Sequence, residues 1–83
     1  SPCDHLPLRD AVLASLRREW RGLAAAAAIE DVTLHYLDGR IHVEVVLPLE
    51  WAPDRAAAAA LAGEFQRGAA AVEGIGSVRL LFR

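Results

Sequence analysis

Residues 35–44 read "HYLDGRIHVE" and carry the local signal that decides the fold. Asp38-Gly39 stands between alternating apolar residues, a pattern that predicts a β-hairpin closed by a two-residue turn. Such a turn places His35 directly opposite His42 across the two strands. A three-residue loop would shift the pairing by one and mix apolar and polar side chains on both faces. Because register follows the hydrophobic pattern wherever one face is buried, the two-residue turn is favoured.

The alternation extends along both predicted strands. From Ile29 to Leu49 the hydrophobic period is two, which is typical of strands with one buried face. The core face is predicted to hold Val32, Leu34, Tyr36, Ile41, Val43, Val45, Leu47 and Leu49. The opposite face is predicted to hold Thr33, His35, Leu37, Arg40, His42 and Glu44. Val46 and Leu81 also fall on this second face, where they indicate partial burial and favour self-association.

Helical patterns flank the hairpin on both sides. A first helix is predicted from Leu8 to about Ala28, because apolar residues recur there at three- and four-residue intervals. The alanine run after Gly22 either continues this helix or frays. A second helix is predicted from about Pro53 to Val72, with the proline in its first turn and glycine at position 74 as its carboxyl-terminal cap.

The order of these elements predicts the fold class. The last segment, "GSVRLLFR" at 76–83, alternates again and predicts a third strand, parallel to the second because a helix connects them. Only one sheet face is continuously apolar, so both helices must cover it. We therefore predict an α+β two-layer sandwich, α-β-β-α-β, with a three-stranded mixed sheet in a reduced ferredoxin-like arrangement. Residues 1–83 are expected to form a single domain, with 1–7 as a flexible amino-terminal segment.

Length, charge and motifs exclude several classes of function. A net charge of −2, with acids and bases interspersed, leaves no basic patch for nucleic acid or an anionic membrane. Even the apolar run from Leu23 to Ile29, which no other run exceeds, falls far short of the roughly 20 residues of a transmembrane helix. One cysteine, Cys3, excludes an internal disulfide, and no signal-peptide pattern is seen, which predicts a cytoplasmic location. No nucleophile elbow, phosphate loop or HExxH motif is present, so we do not expect an enzyme.

The element order and residues 29–65, "IEDVTLHYLDGRIHVEVVLPLEWAPDRAAAAALAGEF", resemble the cytoplasmic carboxyl-terminal domain of cation diffusion facilitator transporters. The likeness covers most of residues 8–83 and includes "VEGIGSVRLLF" at 72–82. It implies a metallochaperone-like fold, V-shaped homodimers, and binding of divalent metals such as zinc in metal ion transport. The chain is then either an excised domain, attached to a membrane domain in the full-length transporter, or a free-standing relative. "IEDVT" and "SVRLLFR" lack histidines common in the family, so its ligand set is not carried over.

The residues themselves suggest a metal site on the hairpin. Directly opposed strand residues hold their Cβ atoms about 4.5–5.5 Å apart, and two nitrogens on one tetrahedral zinc lie roughly 3.3 Å from each other. The imidazoles of His35 and His42 can meet that spacing, and Glu44 on the same face can supply an oxygen. We predict Zn²⁺, or another divalent transition metal, at these three residues of a homodimer. A solvated polar face or a subunit contact is the alternative interpretation.

The segment "CDH", residues 3–5, is a second candidate. Cys3 and His5 suit zinc or copper, and an end segment can complete a site begun elsewhere or on a second chain. Asp4 alternatively caps the first turn of the helix.

Two other functions stay open: a structural dimerisation or protein-interaction domain in which metal has no role, and a small-ligand regulatory module on the same fold.

Overall fold

A computed structural model of the protein describes residues 9–83, so the predicted flexible segment 1–7, with Cys3 and His5, lies outside the described residues. The elements are α1 (Arg9–Glu19), β1 (Asp31–Leu37), β2 (Arg40–Leu47), α2 (Arg55–Ala69) and β3 (Ile75–Phe82). Short 3-10 helices occupy Ala24–Ala28 and Leu49–Trp51. The predicted order α-β-β-α-β is confirmed.

The three strands form one mixed sheet in the order β1-β2-β3, with β1 antiparallel and β3 parallel to the central β2. Asp38 and Gly39 both have positive φ, 53° and 74°, as a two-residue type I′ hairpin turn requires. The register places His35 opposite His42 and Tyr36 opposite Ile41. The predicted turn, pairing and mixed sheet are therefore confirmed.

The core lies between one face of the sheet and the two helices. Its buried side chains are Val12, Leu16, Trp20, Ala25, Ile41, Val43, Val45, Leu47, Phe65, Ala69 and Val78. Trp20, just after α1, donates its indole N–H to the carbonyl oxygen of Phe65 at 2.9 Å, and the two rings meet edge to face with centroids 4.8 Å apart. Gly68 makes this close approach possible, since a Cβ at that position would lie 2.8 Å from Cδ1 of Trp20. These contacts join both helices and complete the two-layer arrangement.

The first helix is shorter than its sequence pattern predicts. α1 ends at Glu19, and the alanine run continues as a separate 3-10 helix, Ala24–Ala28. Between them the chain turns, with Trp20 inserted into the core and Gly22 exposed. Alanine favours helix strongly, but burial of the large indole against α2 outweighs that local preference.

The second helix also differs at both ends. It begins at Arg55 rather than at Pro53, and the Asp54 carboxylate caps it by accepting the Ala57 backbone N–H at 2.8 Å. The helix ends at Ala69, so Gly74 is not its cap. Gly74 instead has φ 90° in the turn before β3, where its carbonyl accepts the N–H of Ile41 at 2.8 Å.

Leu49 is a further correction, because it was predicted on the core face and is 60% exposed. Strand β2 ends at Leu47, and Pro48, which has no N–H for a sheet ladder, is followed by the 3-10 turn Leu49–Trp51. Trp51 in that turn is half-buried and packs against the core.

Among residues 9–83, no helix combines the length and the apolar character needed to cross a bilayer.

Candidate functional site

The sheet face turned away from the helices, here called the open face, carries polar side chains at its centre. We call them the polar row: His35 on β1, His42 and Glu44 on β2, and Ser77 and Arg79 on β3. The register sets His42 between His35 and Ser77, and Glu44 directly opposite Arg79. An open cavity of about 330 Å³ is lined by all five residues. The expected placement of His35, His42 and Glu44 on one face is confirmed.

His35 is held by a diagonal contact across β1 and β2. Its Nε2 lies 2.7 Å from Oε1 of Glu44, and the two side chains are 48% and 27% exposed. A carboxylate can only accept a hydrogen bond, so Nε2 carries the proton and donates it. In the neutral ring the lone pair is then on Nδ1. The contact therefore orients the imidazole and leaves Nδ1 as the nitrogen that can bind a metal.

Glu44 has a second, weaker partner. Nη1 of Arg79 lies 3.7 Å from Oε2 of Glu44, and the Arg79 side chain is 72% exposed. An exposed pair at this distance contributes little to stability. It does keep a positive charge beside the carboxylate, so the two oxygens of Glu44 face different partners.

His42 is held by a contact with the neighbouring strand β3, on the same face of the sheet. Its Nδ1 lies 2.7 Å from the hydroxyl oxygen of Ser77. The hydroxyl can accept an N–H from Nδ1, and that tautomer leaves the lone pair on Nε2. Gly76 supports the position of the ring, because a Cβ there would lie only 3.0 Å from Cε1 of His42. Glycine thus lets the imidazole lie against the backbone of β3.

The two histidines together resemble half of a metal site. Each has one ring nitrogen hydrogen-bonded to a polar side chain, as metal-ligating histidines usually do. Tetrahedral zinc takes four ligands, and His35 with His42 supplies two. Across the described range 9–83, no group of three or more histidine, cysteine, aspartate or glutamate side chains is placed to hold a metal ion. Cys3 and His5 lie outside that range, so the structure places neither of them.

Apolar residues bound the polar row at both ends. Leu37, at the turn end, is 58% exposed. At the other end Val46 lies opposite Leu81, and Val46 is only 5% exposed although it points away from the core. The predicted partial burial of Val46 and Leu81 is confirmed.

Sequence reasoning missed Ser77 and Arg79 as neighbours of the histidines. Both belong to the predicted third strand, and their alternation with Val78 places them on the open face. Their exact partners depend on the parallel register between β2 and β3, which is irregular between Ile41 and His42. No local sequence signal sets that register, because the two strands are joined through a helix.

Comparison with protein-family models, with curated proteins and with solved structures finds no match to this chain. The likeness to the cation diffusion facilitator domain stays a prediction from sequence pattern. The chemistry available to the polar row is therefore the basis for a functional proposal.

Proposed function

We propose that the chain is a cytoplasmic, homodimerising module that binds a divalent transition metal such as zinc, like the cation diffusion facilitator domain it resembles. One observation carries the proposal. His35 and His42 lie directly opposite each other on the open face, and each has one ring nitrogen already hydrogen-bonded. In this proposal the other nitrogen of each ring, Nδ1 of His35 and Nε2 of His42, binds the zinc ion.

Glu44 and Ser77 orient the two ligands in this proposal. A hydrogen bond from a ligating histidine to a carboxylate makes the ring a stronger donor and fixes its rotation. Glu44 makes that contact to His35 at 2.7 Å, and Ser77 makes the equivalent contact to His42 at the same distance. The sequence pattern predicted that Glu44 supplies an oxygen ligand to the metal. The contact between Glu44 and His35 supports a different role, in which Glu44 orients the His35 ring.

A second copy of the chain would complete the coordination. Two open faces related by a twofold axis bring together the same patch from each chain, and so four imidazoles. Four nitrogens satisfy a tetrahedral zinc ion. Leu37, which is 58% exposed, and Leu81 lie on the same face and add apolar area to such a contact. The proposal therefore links metal binding to dimerisation, with one metal for each pair of chains.

Zinc titration by calorimetry, combined with mass in solution, tests this proposal. We expect half-molar stoichiometry and conversion to dimer, with both lost in His35→Ala and His42→Ala. Thr33→Ala is the matched control, because Thr33 lies on the same face of β1, opposite Glu44, and outside the polar row. Unchanged binding in both histidine variants would remove the hairpin site.

The amino-terminal candidates need separate variants. Cys3→Ser and His5→Ala should leave the half-molar stoichiometry unchanged if the hairpin pair is the site. Loss of zinc in these variants, with His35→Ala and His42→Ala unaffected, would move the site to the amino terminus.

A structural dimerisation domain is the second candidate, and the exposed Leu37 favours it. This side chain is 58% exposed on the open face, where a partner could cover it. Under this alternative, EDTA leaves the dimer population and melting temperature unchanged, whereas Leu37→Asp yields monomers. Under the metal proposal, EDTA itself yields monomers.

A further inference from the structure

A larger cavity lies on the helix side of the sheet, away from the polar row. It occupies about 420 Å³ between α1, the 3-10 helix Ala24–Ala28 and strand β1. Its apolar walls are Leu13, Leu16, Trp20, Leu23, Ala26, Ala27, Ile29 and Val32. Small-molecule sites typically measure about 300–1,000 Å³ and are mainly apolar with a few placed polar groups. The cavity fits that description in both size and lining.

The only polar side chains in this lining, besides the indole of Trp20, are two arginines. Arg17 lies on the last turn of α1 and Arg21 in the turn that follows the helix, and both line this one cavity. Within residues 9–83, neither side chain forms an ion pair or a hydrogen bond with another residue. Two guanidinium groups on the lining of an otherwise apolar cavity suit an anionic ligand group, to which each can donate charge-assisted hydrogen bonds.

The walls specify the remainder of the ligand. The indole N–H of Trp20 is already bonded to the carbonyl of Phe65 at 2.9 Å, so it is not available to a ligand. The other wall residues have aliphatic side chains, which offer no hydrogen bond to a hydroxyl or an amide. A ligand that fits this cavity therefore has a hydrocarbon tail, which contacts the apolar walls, and a negatively charged head group, which pairs with the arginines.

Arg21 is the better placed of the two for the head group. Arg17 also lines a neighbouring cavity of about 220 Å³, whose lining includes the acidic residues Glu30 and Asp31. Of these two cavities, Arg21 lines only the larger one. We propose that this cavity binds an aliphatic carboxylate of medium chain length, with the carboxylate at Arg21 and Arg17 and the tail along α1. This site is independent of the proposed metal site.

Decanoate, below its micelle concentration, is the probe that tests this inference. Trp20 forms part of the wall and Trp51 does not, so in Trp51→Phe the indole of Trp20 alone reports binding. We expect a saturable fluorescence change whose affinity weakens about fourfold for each methylene removed toward hexanoate, the factor for burying one CH₂. Calorimetry on the unmodified chain provides the same isotherm if Trp51→Phe does not fold.

Arginine variants locate the head group. Arg21→Ala should weaken decanoate binding about fivefold, the upper range for an exposed ion pair, and Arg17→Ala should weaken it by a smaller factor. Arg18→Ala is the matched control, since Arg18 lies next to Arg17 on α1, bonds to Ser15 and does not line the cavity. His35→Ala should bind decanoate normally, which separates this site from the metal proposal.

Three results would overturn the inference. They are the absence of saturable binding, equal affinity for decanol and decanoate, and an Arg18→Ala loss as large as that of Arg21→Ala. The first would show that no hydrocarbon tail enters the cavity. The other two would show that the arginines named here do not hold the carboxylate.

Discussion

Replacing Gly68 with alanine should destabilise the protein, although alanine is the better helix former. An added Cβ would lie 2.8 Å from Cδ1 and 3.2 Å from Nε1 of Trp20, and 3.4 Å from the carbonyl oxygen of Glu19. Trp20 cannot yield easily, because it is 1% exposed, donates to Phe65 at 2.9 Å and packs edge to face on its ring. Overpacking of this kind costs about 1–3 kcal/mol. The gain in helix propensity, about 0.5–1 kcal/mol, offsets only part of it.

Gly63→Ala is the matched control on the same helix. A Cβ there would meet only Arg67, at 3.2 Å from Nη1, and that flexible side chain can move away. Gly63→Ala should therefore raise the free energy of unfolding by about 0.5–1 kcal/mol. The propensity gain is similar in both variants, so their difference of about 1–3 kcal/mol measures the clash with Trp20. Urea unfolding followed by far-UV circular dichroism gives both values. A Gly68→Ala protein as stable as Gly63→Ala would refute the packing described for the two helices.

Substitutions at three further positions test separate features. Tyr36→Phe should raise the free energy of unfolding by about 1 kcal/mol, because the buried Tyr36 hydroxyl has no hydrogen-bond partner among residues 9–83. Urea unfolding measures this change in stability. Asp54→Ala should lower the free energy of unfolding by about 1 kcal/mol, because the 2.8 Å capping hydrogen bond from the Ala57 N–H is lost. Asp54→Ser should recover most of that stability. Gly76→Ala should displace the His42 ring, whose Cε1 would lie 3.0 Å from the added Cβ, and crowd the Cβ of Arg40 at 3.1 Å; the imidazole NMR signals should shift and zinc binding weaken about tenfold.

Each of these has a clear opposite result. A loss of stability in Tyr36→Phe would mean that the hydroxyl has a partner. An Asp54→Ala protein as stable as the original would mean that the cap is not formed in solution. Unmoved His42 signals in Gly76→Ala would mean that the imidazole does not lie against β3.

The hairpin could be predicted because its determinants are local. Asp38-Gly39 tolerates the two positive φ angles, and the alternating flanks permit only one register with a buried face. The opposition of His35 and His42 follows from that register alone. The order of the elements could also be predicted from the sequence. Apolar residues recur every two positions in the strands and every three to four positions in the helices, which distinguishes the two.

The remaining details depend on tertiary contacts that no short segment encodes. Propensity favours one long helix through the alanine run, but Trp20 inserts into the core beside Gly68 and α1 stops at Glu19. The neighbours of the histidines on β3 depend on a parallel register set by helix packing. Ser77 beside His42 and the contact of Arg79 with Glu44 therefore became visible only in the structure.

Native mass spectrometry of the protein titrated with zinc tests the proposed function most directly, because it reads chain number and metal number in one spectrum. We expect two chains with one zinc ion, and a metal-free monomer when His35 and His42 are both replaced by alanine. A dimer that holds no zinc, or full zinc loading in that double variant, would contradict the proposal.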